Sequence, residues 1–242
     1  MLYVFLVLAL IASCALTWAA SGFATLHALW QVPVFFAGGF LALGLLFLLV
    51  VLISCLFVDP KKLLEKPSGY FRFLLNEFCR LALTLGGVHV NVTGLEKVPR
   101  DTRFLLVSNH RFAFDPLVFY SSMPWADLAF LSKKENFSIF VVAQIMRKVL
   151  CLPVDRDNDR ESLKSILKAI QFIKDDKASI AVFPEGRTNR TADPLLPYRC
   201  GVFKIAQKAN VPIVICSLVN SRAILRNMFR KHTEVWLDVL GV

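Results

Sequence analysis

The chain has 242 residues, 56% of them hydrophobic, and its 28 Lys and Arg against 18 Asp and Glu give a formal charge of +10. A mean hydropathy of +0.56 excludes an ordinary soluble domain. The positive charge does not mark a nucleic-acid binder either, because no basic patch interleaved with aromatic residues occurs.

The two properties separate along the chain: residues 1–58 carry no Asp, Glu, Lys or Arg, and Asp59 is the first charge. Within that block Met1–Ala20 and Pro33–Val58 each exceed or match the ~20 residues that cross a bilayer core. Ser21, His27, Gln31 and Pro33 mark a polar connection between them. Gly22, Gly38, Gly39 and Gly44 suit close helix contact in a membrane. A cleaved signal peptide does not fit, because a basic leader is missing and a second apolar run follows. Residues 1–58 are therefore expected to form a two-helix membrane hairpin, with a re-entrant pair that does not fully cross as the alternative. Every Lys and Arg follows the second run, which places the rest of the chain in the cytoplasm. The six cysteines are scattered without metal-ligand spacing and read as small apolar residues of a reduced compartment.

Residues 59–68 read as a basic linker, with Lys61, Lys62 and Lys66. Gly69–Leu85 reads as an amphipathic helix charged at Arg72, Glu77 and Arg80 and closed by Gly86-Gly87. It suits either a membrane surface or the core of the following domain. Val88–Thr93 alternates as a strand with one wet face, or an edge strand, and His89 lies on its polar side. The glycosylation pattern Asn91-Val92-Thr93 within it is a chance match in that setting.

From Arg103 onward strands and helices alternate. Strands are expected over Arg103–Ser108, Leu128–Ser132, Cys151–Val154, Ala178–Phe183, Val211–Ser217 and Glu234–Val239. Helices are expected over Pro116–Ser122, Glu135–Met146, Asp159–Asp175 and Gly201–Ala209. The third of these helices has an apolar stripe of Leu163, Ile166, Leu167, Ile170 and Ile173. This pattern argues for one α/β domain with a mostly parallel sheet.

Asn109-His110-Arg111-Phe112-Ala113-Phe114-Asp115 follows the first of those strands, at the edge of an open sheet where sites are built. His110 with an acid five residues on has the makings of an oriented base. The plainer alternative is that Asp115 caps the next helix and His110 satisfies a loop carbonyl. Three further blocks accompany strand ends: Val154-Asp155-Arg156-Asp157, Phe183-Pro184-Glu185-Gly186-Arg187-Thr188-Asn189-Arg190 and Val211-Pro212-Ile213-Val214. An arginine at one strand end, with two more in a neighbouring loop, suits a phosphate monoester. Glu185 before Gly186 offers a carboxylate beside a backbone free to bend toward a ligand.

These four blocks, in this order over residues 70–240, resemble those of the glycerolipid acyltransferase family, most closely its bacterial 1-acylglycerol-3-phosphate branch. The resemblance implies an acyltransferase domain over 69–242, a mixed, mostly parallel sheet flanked by helices. It implies lysophosphatidate as acceptor, acyl-CoA or acyl carrier protein as donor, and phosphatidate as product. His110 would be the general base, oriented by Asp115. Arg156, with Arg187 or Arg190, would hold the acceptor phosphate, and Glu185 with Gly186 would order that loop or touch the glycerol. The family shows Thr-Arg after Glu-Gly, whereas this chain has Arg187-Thr188, so Arg187 and Arg190 stand as alternatives. The histidine block has no serine to form an acyl-enzyme, so direct transfer is expected. No metal or cofactor is expected, nor any nucleic-acid partner. Other acceptors on the same blocks are glycerol-3-phosphate, another lysophospholipid or a lyso-ornithine lipid. A non-catalytic lipid-binding protein on this fold is the reading from a different class.

Overall fold

A computed structural model describes residues 1–23, 26–59, 66–191, 193–228 and 230–242. Most of the expected basic linker, residues 60–65, lies outside the described residues. The chain divides into two units, Met1–Val58 and Asp59–Val242.

The first unit pairs helices α1 (Leu2–Ser21) and α2 (Ala28–Leu56), both long and apolar enough to cross a membrane. The second helix starts earlier than expected and takes in Gln31 and Pro33. Pro33 supplies no N–H to the Leu29 carbonyl one turn earlier, and the Ser13 hydroxyl of α1 donates to the Val32 carbonyl at 2.7 Å. Of the glycines expected at close contacts, Gly39 packs on Ala9, whereas Gly38 and Gly44 face open space.

The second unit begins with α3 (Gly69–Leu85), capped by the Ser68 side chain, which accepts from the Phe71 N–H. Phe71, Leu74, Cys79 and Leu83 are buried, so this helix packs into its domain. Arg72, one of the charges of this helix, is buried. It donates to the Leu128 and Val149 carbonyls and pairs with Asp127 at 3.0 Å, which offsets its desolvation.

Seven strands follow: β1 (Val88–Thr93), β2 (Leu105–Ser108), β3 (Leu128–Lys133), β4 (Leu152–Val154), β5 (Ser179–Val182), β6 (Ile213–Val219) and β7 (Thr233–Gly241). They form one sheet in the order β1-β7-β6-β2-β5-β3-β4. Every neighbouring pair is parallel except β6 with β7, so the sheet is mixed and mostly parallel, with β1 at one edge. Strands β2 and β5 are buried along their whole length, as both faces of a parallel sheet are covered.

Helices α4 (Asp115–Ser122), α5 (Phe140–Lys148), α6 (Asp159–Lys174), α7 (Lys204–Ala209) and the short α8 (Ala223–Asn227) connect the strands. One core cluster joins Leu105, Val107, Ile180 and Val182 to Ile170 and Ile173 of α6. Leu163 and Leu167, expected in that stripe, are exposed, and Ala169 and Phe172 are buried in the same helix. The helix expected over Glu135–Met146 is broken: a 3₁₀ turn over Lys134–Ser138 precedes α5. There the Ser138 hydroxyl donates back to the Glu135 carbonyl at 2.6 Å, competing with helical bonding.

Candidate active site

The parallel strands β2, β5, β3 and β4 present their carboxyl ends on one edge of the sheet, and the loops leaving them line a pocket of about 640 Å³. His110, Arg156, Gly186, Arg187 and Arg190, all expected site residues, line it together. The Val211–Val214 block does not. Strand β6 runs parallel to β2, and the Leu105 N–H donates to the Pro212 carbonyl where both strands begin. That block therefore sits at the opposite edge and serves the sheet.

The histidine loop is built from short-range bonds. Past the end of β2, the Asn109 side chain donates to the Leu218 carbonyl (2.9 Å) and accepts from the Leu218 N–H (2.7 Å). Asparagine thereby continues the pairing to β6 with its side-chain amide, which carries one donor group and one acceptor. The chain then winds around one carboxylate oxygen. Asp115 Oδ2 accepts from the backbone N–H of Arg111 (2.8 Å) and of Phe112 (2.9 Å), and faces His110 Nδ1 at 2.9 Å. Asp115 is fully buried. It is not a helix cap: Phe114 occupies that position, and the carboxylate reaches back to amides that precede the helix.

With Nδ1–H donated to Asp115, the His110 ring presents Nε2 as its acceptor nitrogen. The ring stacks on Phe183 with centroids 4.2 Å apart and planes 11° from parallel. Thr188 Oγ1 lies 3.2 Å from Nε2. This hydroxyl comes from a different block than the histidine, so local spacing gave no sign of it.

Glu185 sits behind the pocket wall, 4% exposed. Its Oε1 accepts from the His110 N–H (2.8 Å) and its Oε2 from the Leu196 N–H (3.1 Å). Of the two roles open to it from sequence, the geometry is that of loop ordering, since both oxygens are spent on backbone. Gly186 adopts φ +69°, and a Cβ there would stand 2.9 Å from Arg199 Nε. The glycine thus permits a left-handed turn and lets the Arg199 side chain lie across it.

Arg199 is a basic residue that sequence reasoning missed, and it lines the same pocket. Burial, and then the guanidinium of Arg199, hold Arg156 below the usual arginine range. Two like charges are thus brought close in one cavity, which favours an anion between them. Asp155 is committed elsewhere: it pairs with Lys134 at 2.7 Å, and that bond, followed by the Asp157 N–H, holds its carboxyl below the usual range. Lys133, also on the pocket wall, pairs with Glu135 at 3.2 Å. Among the described residues no group of three His, Cys, Asp or Glu is placed to hold a metal ion.

Residues 89–219 match the family model described as Acyltransferase. A 1-acyl-sn-glycerol-3-phosphate acyltransferase of Borreliella burgdorferi is 29% identical over 161 residues, 66% of this chain and 62% of that one. A probable 1-acyl-sn-glycerol-3-phosphate acyltransferase of Mycoplasma pneumoniae is 31% identical over 180 residues, 71% of this chain and 66% of that one. The match thus spans just under two thirds of each of these relatives. The crystal structure of the 1-acyl-sn-glycerophosphate acyltransferase PlsC from Thermotoga maritima shares the fold. It has a TM-score of 0.61 at 21% identity, covering 79% of this chain and 75% of that one.

Proposed function

This chain belongs to the Acyltransferase family, and on that premise we propose that it transfers a fatty acyl group to the free hydroxyl of lysophosphatidate, giving phosphatidate. The observation that carries the reading is a buried Asp115 holding His110 with Nε2 at a pocket that also gathers Arg156, Arg187, Arg190 and Arg199. The relatives named for this reaction support the choice of acceptor.

In this mechanism His110 Nε2 takes the proton of the acceptor hydroxyl as its oxygen attacks the thioester carbonyl carbon. Asp115 steadies the imidazolium that forms. The carbon–sulfur bond breaks, and the proton passes to the leaving thiolate. Acyl-CoA or acyl carrier protein is the donor, consumed as a substrate, and no cofactor takes part. The arginines grip the acceptor phosphate by charge-assisted hydrogen bonds. Acceptor and product are lipids, and the two apolar helices of the first unit suit an integral membrane enzyme. The confinement of Lys and Arg to the chain after residue 58 supports a cytoplasmic catalytic domain.

The test is acyl transfer by the purified full chain in detergent micelles, from labelled oleoyl-CoA or an acyl carrier protein to a panel of lyso-acceptors. Lysophosphatidate is expected to be preferred, and His110→Ala to lose about 100- to 10,000-fold in rate while staying folded. Preference for glycerol-3-phosphate or a phosphate-free lyso-lipid would overturn the acceptor assignment. Near-wild-type turnover by His110→Ala would overturn the mechanism.

A further inference from the structure

One short loop holds His110 on three sides. Glu185 Oε1 accepts from its backbone N–H, the Asn189 N–H donates to its carbonyl at 2.7 Å, and Thr188 Oγ1 meets its ring Nε2 at 3.2 Å. Glu185 and Asn189 are 4% and 0% exposed, so the loop is anchored on both sides of Thr188. Because Asp115 takes the hydrogen on Nδ1, the neutral ring has its bare lone pair at Nε2. The Thr188 hydroxyl is therefore the donor in this contact. It occupies the lone pair that the acceptor hydroxyl has to use.

We propose that Thr188 is a positioning residue that guards the base, keeping Nε2 occupied until the acceptor displaces it. The need for a guard follows from the chemistry. With a thioester in the pocket and Nε2 free, a water would give its proton to Nε2 while its oxygen attacks the carbonyl carbon. The carbon–sulfur bond would then break, the thiolate would take up the proton, and the products would be free fatty acid and thiol. The flanking Arg187 and Arg190 line the same pocket, so a phosphate seated on them brings an acceptor hydroxyl alongside Thr188. Release requires one turn of the threonine side chain between staggered positions, with no movement of the anchored backbone. The order Arg187-Thr188 is what puts a hydroxyl, rather than an arginine, at this point of the loop.

This inference rests on the reading of His110 as general base, and the experiment separates the two. Thiol release from oleoyl-CoA is measured with and without lysophosphatidate for wild type, Thr188→Ala and Thr188→Ser, with thermal transitions recorded alongside. Thr188→Ala is expected to raise acceptor-independent thiol release by roughly three- to ten-fold, the worth of one ordinary hydrogen bond. Thr188→Ser, which restores the hydroxyl, is expected to return it to the wild-type level. If wild type transfers to lysophosphatidate but Thr188→Ala shows no rise, the guard is overturned and the acyltransferase reading stands. An equal rise in both variants would assign the effect to the lost methyl and overturn the guard. An acyl adduct on Thr188 in the intact-mass spectrum would also overturn it, since Thr188 would then be a nucleophile. If wild type transfers to no lyso-acceptor, the proposed function itself falls.

Discussion

Replacing Asp115 by asparagine isolates the charge of the orienting carboxylate. Oδ2 accepts three N–H groups, from His110 Nδ1, Arg111 and Phe112. The two backbone donors cannot turn away, so an asparagine would keep its carbonyl oxygen at that position. The ring would then keep its Nδ1–H tautomer, and only the charge would be lost. The imidazolium formed in transfer would exchange a bond to a charged partner, worth about 1.5–3 kcal/mol, for a neutral one worth about 0.5–1.5 kcal/mol, a difference of about 1–1.5 kcal/mol. The expected fall in kcat is roughly five- to ten-fold. Stability should fall as well. Asp115 Oδ1 is buried without a hydrogen-bond partner among the described residues, so the new NH₂ would be an unsatisfied donor costing about 1–3 kcal/mol. The assay is acyl transfer to lysophosphatidate in micelles at saturating substrates, with thermal unfolding followed in parallel. Destabilisation with kcat within threefold of wild type would refute the reasoning and leave Asp115 a purely structural residue.

The acceptor site makes a second prediction. Arg156→Ala should raise KM for lysophosphatidate roughly ten- to a hundred-fold and leave KM for the donor nearly unchanged. Arg199→Ala should act in the same direction, and of the two loop residues Arg187→Ala should exceed Arg190→Ala because it adjoins Glu185-Gly186. Small, equal effects from all four would place the phosphate elsewhere, a result read from initial rates with each substrate varied in turn. Gly186→Ala should lower the thermal transition through about 1–2 kcal/mol of left-handed backbone strain. Its Cβ would also push Arg199 aside, so KM for the acceptor should rise with it; an unchanged KM would show that Arg199 does not reach the phosphate.

Much of this protein is written in neighbouring residues. The charge-free first 58 residues dictate two apolar helices, because hydropathy and length act locally. The periodicities of residues 69–85 and 88–93 set a helix and a strand over those bounds. The five-residue step from His110 to Asp115 suffices for their contact, since both belong to one tight loop.

What the sequence left open depends on strands distant in the chain. β2 lies between β5 and β6, and only that order puts the Glu185–Arg190 loop against His110 and sends Pro212 to the far edge. The same packing decided that Arg72 is buried, that Leu163 and Leu167 are not, and that Arg199 stands beside Arg156. Hydropathy states what a residue prefers, but which face is covered depends on partners far along the chain. Whether Asp115 caps a helix or binds the amides before it likewise depends on how the chain leaves β2, and the structure settles it in favour of the histidine loop.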